Sequence, residues 1–217
     1  MKNEASYSDA EVESHDLHLQ AKTRTLRLLD GARISVTTLA LLCGITVLGV
    51  SGDALNVYNT TSVSHDFPLS LWPDEFNIRP TVALVVGSSI VTVTNIVALL
   101  CSKVRYLRHN TPVHTPVMFA APLVGLVAAL IAMVFFYAVN ASNTVDTLLS
   151  WTCRWHMVSM DLKPHFGTLC KESRAGVYLS ILLIPIEAIA LGLAGWELKV
   201  EKFTSAYARA RKGSPVA

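Results

Sequence analysis

Few residues in this chain have the type and spacing to do chemistry. Glu187 is an acid inside an otherwise uncharged apolar run. On a membrane-spanning helix such an acid costs at least about 2.5 kcal/mol on insertion scales, so it must face other helices and find a partner. It could form an ion or proton site, or a protonated carboxyl that joins helices by hydrogen bonding. The second use is favoured, because one acid without a charged companion makes a poor pathway. Asn95, with Thr92 and Thr94 beside it, is the expected partner. Pro185, two residues before Glu187, removes a helical hydrogen bond there and is expected to kink the helix.

Cys153, His156, His165 and Cys170 are spaced C-x2-H-x8-H-x4-C. These are either four zinc ligands, a disulfide closing the segment, or free thiols. An oxidising exterior favours the disulfide, which would restrain a loop of roughly 17 residues by about 3 kcal/mol in the chain-entropy treatment. Cys101 lies beside Lys103, where S-palmitoylation is available, although a buried and inert thiol is the favoured state. Asn59-Thr60-Thr61 and Asn140-Ala141-Ser142 are the two N-glycosylation sequons, and Asn59 is the better candidate because Asn140 abuts a span.

Several chemistries lack their residues. There is no G-x-G-x-x-G, no Walker motif and no C-x-x-C pair. His109 and His114 are faintly like one histidine box of the membrane di-iron enzymes, but those need many histidines on one side, and Pro112 interrupts this spacing. No cofactor is expected, and no enzyme.

The elements that position these residues follow from the charges. Of 217 residues 52% are hydrophobic and only 16% charged, against about 25% charged in an average soluble domain. The charges cluster and leave long gaps at 34–52, 80–102 and 117–139, with a fourth at 175–196 broken only by Glu187. Each is near the roughly 20 residues that cross a hydrocarbon core of about 30 Å. The expected fold is therefore all-α, a polytopic four-helix transmembrane bundle. An arm at 1–32 precedes a membrane domain at 33–197, with spans near 34–54, 80–102, 116–139 and 175–196. Loops of 55–79 and 140–174 lie outside, a loop of 103–115 lies inside, and a basic tail fills 198–217.

Orientation comes from the distribution of the 18 basic residues, of which thirteen lie in the two ends and the middle loop. By the positive-inside bias both termini face the cytoplasm. The first 30 residues hold six acids and no apolar core, so no cleavable signal peptide is expected and the first span acts as its own insertion signal. Because the basic residues serve topology, nucleic acid is not an expected partner. The lipid bilayer is, together with further copies of the chain or other membrane proteins.

Small residues recur at four-residue spacing, as Ala83 and Gly87, as Ala121, Gly125 and Ala129, and as Ala188 and Gly192 with Gly195 beyond. Such faces allow close helix packing in lipid, where no hydrophobic force drives association. Trp72, Trp151, Trp155 and Trp196 are all placed to anchor at the membrane interface. Beyond Trp196 the helix is expected to continue with Val200, Phe203 and Tyr207 along one side and basic residues around it, suited to anionic lipid.

Particular runs carry a resemblance. They include Val57-Tyr58-Asn59-Thr60-Thr61, Leu71-Trp72-Pro73 with Arg79-Pro80-Thr81-Val82-Ala83-Leu84, and Phe135-Phe136-Tyr137-Ala138-Val139-Asn140-Ala141-Ser142-Asn143-Thr144-Val145-Asp146. Ser150-Trp151-Thr152-Cys153-Arg154-Trp155, Thr168-Leu169-Cys170-Lys171-Glu172-Ser173 and Leu183-Ile184-Pro185-Ile186-Glu187 complete the set. From about residue 33 to 196 the chain resembles a family of four-span membrane proteins of filamentous ascomycete fungi, which carries no established activity. In architecture it is similar to MARVEL-type and claudin-like tetraspan proteins, which organise membrane domains and contacts. The claudin Trp and Cys pattern belongs in the first outer loop, whereas here the cysteines fall in the second. The resulting expectation is a non-enzymatic tetraspan scaffold of the plasma membrane or secretory pathway. The alternative is a small transporter, channel or accessory subunit using Glu187 within an oligomer.

Overall fold

The computed structural model describes residues 2–62, 71–103, 111–142, 145–158 and 164–212. His65 and His109 lie outside the described residues. Five helices and two short strands lie among the described residues: α1 (Lys2–Ser62), β1 (Phe76–Asn77), α2 (Arg79–Lys103), α3 (Thr111–Ser142), β2 (Asp146–Thr147), α4 (Leu148–Arg154) and α5 (Phe166–Lys212). Among the described residues four segments are long and apolar enough to cross a membrane: Arg27–Ser62, Arg79–Lys103, Pro116–Ala141 and Phe166–Val200. The chain is an all-α polytopic bundle, and its four spans are those of an integral membrane protein.

The helices outrun the charge gaps that announce them. α1 extends through the N-terminal arm, and the second outer loop is largely occupied by the end of α3, by α4 and by the start of α5. The uncharged runs mark the length immersed in hydrocarbon, whereas a helix continues wherever its backbone stays hydrogen-bonded. Pro116, Pro122 and Pro185 lie inside helices without ending them, as neighbouring groups in a membrane bundle permit. The polar side chains on the spans are largely self-satisfied. The hydroxyls of Thr46, Ser88 and Ser180 donate to the carbonyls of Leu42, Leu84 and Gly176, one turn back on their own helices.

The chain divides into two compact units, Val36–Leu191 and the pair of segments Met1–Ser35 with Gly192–Ala217. In the larger unit the core is layered. Ala40, Val91, Ala129 and Leu183 meet as one residue from each span. Leu84, Met133, Phe136 and Val177 form a second cluster, and Ala54, Leu148 and Leu169 a third with Tyr58 and Phe76 against it. Large apolar side chains such as Val86, Val134, Leu182 and Ile189 are exposed instead, an outward apolar surface suited to lipid. In the smaller unit Arg33 is buried, forms an ion pair with Glu197 and donates to Asp30 at 2.9 Å.

Close approach depends on particular glycines. A Cβ added at Gly87 would lie 2.6 Å from the Cβ of Ala132 and 3.3 Å from the Ala128 carbonyl oxygen, so α2 and α3 touch there backbone to backbone. Gly44 brings α1 against Thr92, and Gly176 brings α5 against Val50. By contrast, a Cβ at Gly192 or Gly195 would meet nothing within 4 Å. The small-residue face expected on the fourth span is thus corrected: four-residue spacing aligns residues on a face but does not choose the face that packs. Gly87→Ala should cost about 1–3 kcal/mol by overpacking. Gly49→Ala, with nothing within 4 Å, should gain about 0.5–1 kcal/mol from helix propensity. Thermal unfolding of both variants in one detergent checks this opposite sign.

Candidate functional site

Two arrangements gather most of the candidate residues. The first is a cap over the ends of the spans where the segments 55–79 and 140–174 lie. Thr147 caps α4, its hydroxyl accepting from the Ser150 amide at 3.3 Å while the Ser150 hydroxyl accepts from the Thr147 amide at 2.9 Å. β1 and β2 pair in parallel, Phe76 opposite Asp146 and Asn77 opposite Thr147, which ties the first outer loop to the second. Arg154 donates through both terminal nitrogens to Asp146, at 3.0 and 2.9 Å. Cys153 on α4 and Cys170 on α5 are joined as a disulfide with Cα atoms 4.8 Å apart. With both sulfurs in that bond, the Cys-His-His-Cys pattern has no thiolate for zinc. His156 is committed too, its Nδ1–H donating to the Cys153 carbonyl at 2.6 Å.

Beneath this frame lies an aromatic cluster that the interfacial reading of tryptophan did not foresee. Trp72 is only 4% exposed. It meets Tyr58 edge-on at 5.1 Å, Phe76 at 5.1 Å and Phe166 edge-on at 5.7 Å, while Tyr58 stacks on Phe76 at 5.0 Å. Its indole Nε1–H donates to Thr61 Oγ1 at 2.9 Å. The expected membrane anchor is therefore a core residue of the cap, holding α1, the first loop and α5 together. Trp151 and Trp155 pack on each other at 5.8 Å, and Trp196 is exposed, as an anchor would be.

The sequons separate. Asn59 is exposed near the end of α1. Asn140 is engaged at both ends of its amide, donating to the Phe136 carbonyl at 2.9 Å and accepting from Thr147 Oγ1 at 2.8 Å. Asn140 is thus a structural residue of the cap, tying the end of α3 to β2. Cys101 is a buried free thiol, 8% exposed.

The second arrangement is inside the bundle. Glu187 is 0% exposed, and its Oε1 accepts from Asn95 Nδ2 at 2.6 Å. The same amide nitrogen donates to the Val91 carbonyl at 2.9 Å, which fixes its direction. Room for the carboxyl comes from Gly125, where an added Cβ would stand 3.0 Å from Glu187 Cδ and Oε2 and 3.1 Å from Oε1. One acid thus draws α2, α3 and α5 together at a point closed to solvent. Oε2 has no hydrogen-bond partner among the described residues, and Thr92 Oγ1 is likewise buried without one. Among the described residues no group of three His, Cys, Asp or Glu side chains could hold a metal ion.

Asn95 as partner was legible from polarity and depth. Gly125 was visible as a small residue but not as the seat of the carboxyl, and Tyr58, Phe166 and Thr61 carried no sign of their joint role around Trp72. No family profile, curated protein or solved structure matches the chain.

Proposed function

We propose that this protein is a non-enzymatic membrane scaffold of the cell surface or secretory pathway, whose outer cap engages neighbouring membrane proteins or further copies of the chain. One observation carries the reading. The cap is cross-linked by a disulfide, a strand pair and an aromatic cluster, yet beside the disulfide it presents Trp155, Met157 and Val158 at 43%, 85% and 46% exposure. Large apolar side chains displayed on a rigid, polar-rimmed frame are what an interaction surface needs. Glu187 supports the same reading from the other side, since an enclosed carboxyl held by Asn95 and fitted against Gly125 serves packing.

The experiment is proximity labelling from the outer face in the native cell, comparing wild type, Met157→Asp and Glu187→Gln. Met157→Asp should remove a defined subset of labelled neighbours without changing membrane insertion. Glu187→Gln keeps an oxygen for Asn95 to bond, so it should leave the labelled set unchanged and stability within about 1 kcal/mol. A solute or ion flux in proteoliposomes that Glu187→Gln abolishes, with assembly intact, would sink the scaffold reading in favour of transport.

A further inference from the structure

We infer that the groove between α2 and α3 is a binding site for an anionic phospholipid of the leaflet nearest the outer loops, with one acyl chain in the groove and the phosphate on Arg79. The groove has a volume of about 670 Å³, within the roughly 300–1,000 Å³ of small-molecule sites. Val82, Val86 and Ile90 of α2 form one wall and Ile131 and Phe135 of α3 the other, with Arg79 at one end. All five wall residues are large, apolar and at least 38% exposed. The groove exists because of its floor. Gly87 lets α2 touch Ala132 and Ala128 of α3, so the larger side chains on either side of that contact stand away from each other and leave a channel.

Length and charge together choose the occupant. From Arg79 to Ile90 the helix advances eleven residues, about 16 Å at 1.5 Å each. One leaflet is half of a roughly 30 Å hydrocarbon core, about 15 Å. An acyl chain lying along the groove therefore runs from headgroup depth to the bilayer centre, with Arg79 at the headgroup end. Arg79 is exposed, and its guanidinium has no ion pair or hydrogen bond among the described residues; only its backbone amide is engaged, donating to Asn77 Oδ1 at 3.0 Å. Arg79 is the sole basic residue of the first outer loop, so topology does not account for it. The first turn of α2 carries no acid, and its positive dipole end lies at the same place. Guanidinium and phosphate form charge-assisted, bidentate hydrogen bonds, whereas a purely apolar partner would leave this cation at the mouth of the groove unanswered.

The test uses the full chain in nanodiscs of equimolar phosphatidylcholine and phosphatidylglycerol of the same acyl composition. Native mass spectrometry counts the lipids that each variant retains on release. Wild type should retain phosphatidylglycerol about fivefold over phosphatidylcholine, the effect of one basic residue at the membrane surface. Arg79→Gln should bring that ratio to one, and Arg79→Lys should keep most of it. Val86→Trp fills the groove from an exposed position and should remove the retained lipid of either headgroup without lowering the unfolding temperature. Equal retention of the two lipids by wild type would overturn the proposal. So would an unchanged preference in Arg79→Gln, or retained lipid in Val86→Trp. Disulfide-linked dimers through Val86→Cys would give the groove to a second copy and overturn it as well.

Discussion

Trp72→Ala is expected to lower stability by about 3–5 kcal/mol, the range for removing a large buried aromatic, with the loss visible as a lower unfolding temperature in detergent. The magnitude follows from what the indole does. It is 4% exposed and meets three rings, those of Tyr58, Phe76 and Phe166, and aromatic pairs each contribute about 0.5–1.5 kcal/mol beyond their buried area. Its Nε1–H bond to Thr61 Oγ1 at 2.9 Å adds about 1 kcal/mol. The rings it touches lie on α1, on β1 and on α5, so a void at Trp72 cannot be closed by one helix moving alone. Trp72→Phe keeps the ring contacts in part and loses the hydrogen bond, and should cost less than half as much. An interfacial anchor would respond differently: Phe would substitute freely and Ala would shift membrane depth more than stability. Circular dichroism melts of the three proteins separate the two patterns. Wild-type stability in Trp72→Ala would remove the aromatic cluster from the account of the cap.

That contrast shows where the sequence was readable. The spans were, because hydrocarbon imposes one rule on every residue it touches: charges stay out for about 20 residues at a time. Glu187 was readable for the same reason, as the exception to the rule. Its partner Asn95 followed because a buried acid demands a hydrogen-bond donor and few polar side chains lie at that depth. Trp72 was not readable, because tryptophan suits both a headgroup layer and a buried cluster. The choice between them rests on Tyr58 and Phe166, residues 14 positions before it and 94 after.

Glycines mark the same boundary. Gly87 and Gly192 look alike in sequence, each with an alanine four residues before it. One touches Ala132 and the other meets nothing within 4 Å. The difference is the rotation of each helix about its axis, which is set by side chains on the helices it faces. Gly44, which also follows an alanine by four residues, and Gly176 each accept a neighbouring helix, through Thr92 and Val50. Periodicity defines the faces of a span, and only packing against the other spans decides which face is used.

Removing the disulfide, as Cys153→Ser with Cys170→Ser, is expected to cost about 3 kcal/mol for a 17-residue separation. The damage should be local. The bridge ties α4 to the first turns of α5, and Gly167 lets this stretch pass so close that an added Cβ would stand 3.1 Å from the His156 carbonyl oxygen. Without the bond, α4 is held at its first turn by Leu148, buried against Ala54 and Leu169, and otherwise by its capping box, the two-residue strand pair and the Arg154–Asp146 ion pair. An ion pair with Arg154 58% exposed contributes little, and a two-residue ladder is marginal in isolation. Hydrogen exchange should therefore rise in residues 146–157, while the clusters around Ala40 and Leu84 keep their protection. The apolar group at Trp155, Met157 and Val158 sits on the segment that loosens, so the labelled neighbours lost in Met157→Asp should also be lost in the double serine variant. Treating wild type with a membrane-impermeant reductant should reproduce both effects without any substitution. Unchanged exchange and unchanged neighbours in the reduced protein would show that the bridge holds nothing the interaction surface depends on, and would move the search for that surface to the first outer loop.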